Sequence, residues 1–101
     1  MGRVAADASV FNAIADPTRR GILRNLTRGE RSVSELMRAF DLKQSAFSQH
    51  LAVLRRAGLV TMRKDGRRRL YSFRAEHLRE VADWISEFGP HLAEPHASPP
   101  P

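Results

Sequence analysis

The stretch from Gln44 to Phe73 constrains the fold most, because its hydrophobic period changes from helical to extended within thirty residues. In its first part Phe47, Leu51 and Leu54 recur at the spacing of one helix face. Gly58 predicts the end of this helix, since glycine tolerates the positive φ found just past a last turn. An amphipathic helix therefore leads directly into the segment that follows.

That following segment alternates with a period of two and predicts a β-hairpin. Asp65-Gly66 is a dipeptide typical of a two-residue type I′ turn. The register predicted from this turn pairs Lys64 with Arg67, Met62 with Arg69 and Val60 with Tyr71. In this register the apolar side chains of both strands share one face, and basic side chains lie at the tip.

Start and stop signals predict four further helices. They span about Ser9 to Ala15, Asp16 to Thr27, Ser32 to Asp41 and Glu76 to Phe88, with Asp16-Pro17 and a Ser32–Glu35 capping box as N-terminal signals and Gly89-Pro90 as a stop. The short turn before Gln44 gives the spacing of a helix-turn-helix. The predicted fold is mostly α with a small β-hairpin: a winged helix-turn-helix with five helices and a two-stranded wing. We expect residues 1–90 to form one DNA-binding and dimerisation domain and residues 91–101 a disordered tail.

Charge and polarity both point to nucleic acid. Residues 55–74 hold eight basic residues against one acidic residue, a net charge of +7, whereas the whole chain carries +6. The outer face of the Gln44 helix and the hairpin tip are predicted to contact DNA through Gln44, Ser45, Ser48, Gln49, His50 and Arg55 on the helix and Lys64, Arg67 and Arg68 on the wing. His50 lies at the edge of the packing face, so a half-buried structural histidine is as good an interpretation as a DNA contact. Arg19, Arg20 and Arg24 are interpreted as a solvated face.

Composition excludes several other classes of protein. The 101 residues suffice for one domain, and the chain has no cysteine for a disulfide, a thiol nucleophile or a thiolate metal site. No phosphate-binding glycine loop, catalytic triad or carboxylate pair is present, so we expect neither an enzyme nor a cofactor. No apolar run approaches the ~18 residues of a membrane span, and the N-terminus lacks a signal peptide. We expect a cytoplasmic protein without membrane contact.

Three segments together resemble the ArsR family of bacterial winged helix-turn-helix repressors. They are FNAIADPTRRGILRNL at 11–26, SELMRAFDLKQSAFSQHLAVLRRAGLV at 34–60 and RKDGRRRLYSF at 63–73. The resemblance implies a homodimer on double-stranded DNA, with the Gln44 helix in the major groove, the wing along the minor groove or backbone, and repression by blocking a promoter. It also implies dimerisation through the first and last helices, for which the candidates are Val10, Phe11, Ile14, Val81, Trp84, Ile85 and Phe88.

Trp84, Ile85 and Phe88 support the dimer independently, because the last helix has apolar residues on more faces than one small core can cover.

The chain departs from the metal-sensing branch of the family. That branch has cysteines in an ELCVCDL-type segment, where this chain has ELMRAFDL at 35–42. Other members bind zinc through Asp and His of the last helix, but His77 and His91 are not spaced to meet on one helix turn. We therefore predict a metal-independent member, with a site shared across a dimer left open. The alternatives are a winged-helix module for protein or RNA and a ligand- or metal-gated sensor of the same fold.

Overall fold

The computed structural model describes residues 9–92. In this range six α-helices, one 3-10 turn and three strands follow one another. They are α1 Val10–Ala13, α2 Pro17–Leu26, β1 Arg31–Ser32, α3 Val33–Met37, α4 Gln44–Arg56, β2 Val60–Asp65, β3 Arg68–Phe73, the 3-10 turn Glu76–Leu78, α5 Arg79–Ser86 and α6 Gly89–Leu92.

Side-chain caps place the starts of the first three helices. The Ser9 hydroxyl accepts hydrogen bonds from two backbone N–H groups of α1. Asp16 caps α2, and Pro17 takes its first position, where its missing N–H costs nothing. Ser32 and Glu35 form both bonds of a capping box, at 3.1 and 2.8 Å. The predicted caps of α2 and α3 are confirmed.

The core lies where α4 crosses α1, α2 and the hairpin. Phe47, Leu51 and Leu54 of α4 are buried, as the helical spacing predicts. Gly58 ends this helix with φ +77°, and the next two residues, Leu59 and Val60, are buried as the chain enters β2. The outer face of α4 is thereby held in a fixed orientation next to the hairpin.

The sheet has three antiparallel strands in the order β1-β3-β2, so the predicted two-stranded wing is wrong by one strand. In the additional pairing Arg31 lies opposite Tyr71 and Ser32 opposite Leu70. Because β1 is only two residues long, it shows no alternation of polar and apolar residues from which a strand could be predicted. Tertiary pairing alone makes it a strand.

The predicted hairpin register is also wrong, by two residues. The loop is Gly66-Arg67, and the observed pairs run from Asp65 with Arg68, through Lys64 with Arg69 and Met62 with Tyr71, to Val60 with Phe73. Gly66 has φ +66° at the first loop position, where the primed hairpin turns accept glycine as readily as at the second. The observed register sets the larger apolar side chains opposite each other. A shift of two residues leaves every side chain on its predicted face.

Two helix ends also differ from prediction. α3 ends at Met37 instead of near Asp41, because the next three N–H groups bond to carbonyls three residues back and form turns. The last predicted helix divides into the 3-10 turn Glu76–Leu78 and α5, and Gly89-Pro90 begins α6 instead of stopping the helical path. The helix count is therefore six instead of five, and the predicted tail beyond Leu92 lies outside the described residues.

Candidate nucleic-acid interface

The polar face of α4 is exposed, as the sequence predicts. Gln44, Ser45, Ser48 and Gln49 are exposed on the side opposite the buried Phe47, Leu51 and Leu54. Ser and Gln side chains can both donate and accept hydrogen bonds, which base edges in the major groove require. A rigid helix with these side chains on its free face can read a sequence.

A groove of about 530 Å³ separates this face from the hairpin. It is lined by Val33, Gln44, Ser48, Leu51, Ala52, Arg55, Arg56, Arg69 and Tyr71. Arg55 lines this groove together with the polar residues Gln44 and Ser48. Arg69, also in this groove, was not among the predicted DNA contacts of the wing, which included only the cations at the hairpin tip. Its strand partner is Lys64, so two cations lie side by side on this face of the hairpin.

Part of the positive charge of the hairpin is paired within the protein. Arg63 donates two hydrogen bonds of 2.9 Å to the Glu30 carboxylate, which also accepts one of 3.3 Å from Ser72. This contact with Arg63 lowers the pKa of Glu30 and raises that of Arg63. Arg68, predicted to contact DNA, lies 3.7 Å from a Glu35 carboxylate oxygen. Any contact of Arg68 with DNA therefore competes with an internal ion pair.

The remaining hairpin cations have a different environment. Within residues 9–92, no carboxylate lies within 4 Å of Lys64, Arg67 or Arg69. Lys64 and Arg69 belong to the sheet face that carries Met62, whereas Arg67 is in the loop at the tip. These three side chains present the available positive charge on the α4 side and tip of the wing.

His50 is half-buried, with 21% of its side chain exposed. Its Nδ1 lies 3.2 Å from Arg19 Nη1 and 3.9 Å from an Asp16 carboxylate oxygen. Arg19 is not part of a solvated face as predicted, since it also donates to the carbonyls of Ala13, at 2.8 Å, and Asn12, at 3.0 Å. Because these contacts join three helices, no single-helix pattern could have found them.

Asp16 lies beside Arg19 and His50 in the same group of contacts. Burial alone would raise the pKa of the Asp16 carboxyl, but a 3.0 Å hydrogen bond from the Arg19 backbone N–H and nearby positive charge lower it. Asp16 thus remains an anion beside Arg19 and His50 at neutral pH.

Five large apolar residues of α1 and of the last three turns of the described chain are exposed and are called the apolar patch here. They are Phe11 at 36%, Trp84 at 51%, Ile85 at 44%, Phe88 at 42% and Leu92 at 56% exposure. Trp84 contacts Phe11 and Phe88 edge to face, with ring centroids 5.9 and 5.1 Å apart. Of the other predicted dimer residues, Val10 and Val81 are buried in the protomer's own core and Ile14 packs partly against it.

Comparisons with known proteins agree with this geometry. Residues 14–63 match the model of a helix-turn-helix domain. The chain is 31% identical over 80 residues to the transcriptional repressor SdpR of Bacillus subtilis, covering 79% of this chain and 89% of that protein. A solved ArsR family transcriptional regulator superposes with a TM-score of 0.76 at 33% identity, covering 92% and 97% of the two chains. The chain belongs to the ArsR family.

Other relatives of this ArsR-family chain are longer. The transcriptional repressor SmtB homolog of Synechocystis is 39% identical over 84 residues, which cover 79% of this chain but 64% of the relative. An uncharacterized HTH-type transcriptional regulator of Mycobacterium tuberculosis is 43% identical over 75 residues, which cover 73% of this chain and 66% of the relative. The chain therefore spans just under two thirds of these two proteins.

Family membership confirms the winged helix-turn-helix fold, and the named relatives are transcriptional regulators and repressors, not enzymes. Within residues 9–92 no group of three or more His, Cys, Asp or Glu side chains is placed to hold a metal ion. Over the same residues, no helix has the length and hydrophobicity needed to cross a membrane.

Proposed function

We propose that this ArsR-family chain is a homodimeric, sequence-specific repressor that binds an inverted-repeat operator without needing a metal ion. The observation that carries the proposal is the exposed polar face of α4 beside a groove lined by Arg55 and Arg69. Polar side chains on a rigid helix suit base edges, and flanking arginines suit phosphates. A winged helix that binds protein would more often expose an apolar surface at this position.

The apolar patch supports the homodimer. Its residues lie on α1, α5, α6 and the turn between the last two, and the Trp84 ring contacts the other two aromatic rings, yet each residue exposes a third or more of its surface. Two copies related by a two-fold axis would cover the patch with itself. Dimerisation would then set the two α4 helices at a fixed spacing, which is what an inverted repeat requires.

Independence from metal rests on the chemistry of the side chains. The chain has no cysteine, and its described residues bring together no cluster of three potential ligands. Structural and regulatory sites for zinc-like ions generally need three or four such ligands. The proposed repressor would respond instead to promoter competition, protein level or an organic ligand.

A selection of binding sites from random DNA tests the proposal. We expect an inverted repeat whose half-sites are about one helical turn, ~34 Å, apart, because identical reading helices need matching half-sites. Footprinting of the selected site should show both half-sites protected together. Protection of a single half-site at saturating protein would contradict the dimeric mode of binding.

Single substitutions distinguish residues that recognise the base sequence from residues that only attract the phosphates. Gln49→Ala and Ser48→Ala should each weaken binding by about 1 to 3 kcal/mol and relax base preference at particular positions. Arg67→Ala should weaken binding to all sequences alike and reduce the salt slope by about one unit for the lost phosphate contact. Arg24→Ala, which removes an exposed arginine from α2, is the matched control for charge. An altered base preference with an unchanged salt slope in Arg67→Ala would refute the role assigned to the wing.

A further inference from the structure

Arg19, on α2, links α4 to α1. Its guanidinium lies at the C-terminal end of α1, where it donates to the carbonyls of Asn12 and Ala13. A third nitrogen of the same group lies 3.2 Å from Nδ1 of His50, in the middle of α4. One planar side chain thus uses all three of its nitrogens on partners from two different helices.

The chemistry of this contact determines where the proton of His50 lies. A guanidinium has N–H donors but no acceptor, so Nδ1 of His50 must accept the hydrogen bond from Arg19. A neutral imidazole that accepts at Nδ1 carries its proton on Nε2. Arg19 therefore selects the Nε2–H tautomer.

The Nε2–H group is left available at the surface. Among the described residues, Nε2 has no hydrogen-bond partner, and no buried side-chain nitrogen or oxygen lacks one, so Nε2 reaches solvent. His50 lies on the edge of the buried face of α4, away from the edge that carries Arg55. When a helix lies in a major groove, its edges face the phosphates of the flanking strands.

We propose that Arg19 is a positioning residue, which holds His50 in the Nε2–H tautomer so that the neutral ring donates a hydrogen bond to a DNA phosphate. The phosphate contact rests on the proposed function, whereas the tautomer of His50 does not depend on DNA binding. The contact would also fix α4 relative to α1 and α2. Asp16, 3.9 Å from Nδ1, completes the cluster.

Nuclear magnetic resonance of the ring nitrogens tests the positioning role without DNA. At about pH 8, where histidine side chains are ordinarily neutral, the wild-type His50 ring should show its proton on Nε2 alone. Arg19→Met should allow a detectable fraction of the Nδ1–H form. Arg20→Met is the matched control, since Arg20 donates to the Ile14 carbonyl at 2.9 Å and, among the described residues, has no hydrogen bond or ion pair to α4. A wild-type ring protonated on Nδ1 would overturn the inference.

Operator binding tests the phosphate contact. His50→Asn keeps a polar group near the position of Nδ1 but cannot reach that of Nε2, whereas His50→Gln keeps a donor near Nε2. We expect His50→Asn to weaken binding about tenfold to a hundredfold, the usual effect of losing one hydrogen bond to a charged group. His50→Gln should bind more tightly than His50→Asn. Since a neutral donor displaces no counterion, the salt slope should not change.

The possible outcomes separate the two proposals. If the wild-type protein bound no DNA, the repressor proposal and the phosphate contact would both fail, while the ring spectrum would still decide the role of Arg19. If His50→Asn bound the operator as tightly as wild type, the phosphate contact alone would be refuted. Should Arg19→Met unfold, Arg19→Lys keeps the cation but cannot reach three acceptors at once, so it too should release the Nδ1–H form.

Discussion

Replacing Trp84 with serine should convert the proposed dimer into monomers. Trp84 exposes 51% of its surface, which is about 125 Å² for a large aromatic side chain. At about 25 cal/mol per Å², covering this area stabilises the dimer by about 3 kcal/mol for each copy. A two-fold interface contains the side chain twice, so the upper limit is about 6 kcal/mol, or four orders of magnitude in Kd.

Sedimentation equilibrium over a range of protein concentrations measures this effect. Because neighbouring side chains can partly refill the space, we expect the dimer Kd to rise by about two to four orders of magnitude, with a matching loss of operator affinity. Trp84→Phe keeps most of the apolar area and should remain dimeric. Circular dichroism should show a folded chain in both variants, because Val81 anchors α5 in the core. A Trp84→Ser protein with the wild-type dimer Kd would refute the patch as the interface.

Three further predictions concern the fold and its regulation. Gly58→Ala should destabilise the protein more than Gly66→Ala. Both glycines have positive φ, which costs about 1 kcal/mol of strain for alanine. Of the two, only Gly58→Ala would place a new Cβ against a side chain, 2.6 Å from a carbon of His77. Equal midpoints in chemical denaturation would contradict this. The backbone N–H and hydroxyl of Ser32 lower the pKa of Glu35 from 4.5, so its contribution to stability is present above that pH and lost as pH falls below it. On acidification from about pH 7 to about pH 3.5, the wild-type protein should therefore lose more thermal stability than Glu35→Gln, which keeps the capping box. Equal losses would exclude a stabilising role for the Glu35 carboxylate. Micromolar zinc, nickel or arsenite should leave operator affinity within about threefold, and a tenfold loss with a stoichiometric bound metal would contradict metal independence.

Local patterns in the sequence were sufficient for the main helices. The buried face of α4 follows from the spacing of Phe47, Leu51 and Leu54, and the starts of α2 and α3 follow from capping side chains within three residues of each helix. These signals act over one or two helical turns. These signals can therefore be recognised in the sequence without knowing how the rest of the chain folds.

The hairpin shows where local patterns become insufficient. Alternation assigned each side chain to its face correctly, but two turn positions around Gly66 satisfy the same glycine preference. Only the packing of Tyr71 opposite Met62 and Phe73 opposite Val60 distinguishes the two registers. Arg69 lies on the Met62 face in both registers, and it was omitted because the wing prediction took only the cations at the hairpin tip.

Contacts between distant residues were decided by the tertiary structure alone. Arg19 and His50 are 31 residues apart, and Glu30 and Arg63 are 33 apart. With 17 basic and 11 acidic residues in the chain, composition does not specify which cation meets which partner. The sequence by itself determined the helices, the polar reading face and the excess of positive charge. The folded chain decided which of those charges are paired internally, because ion pairs form only where packing brings the side chains within a few ångströms.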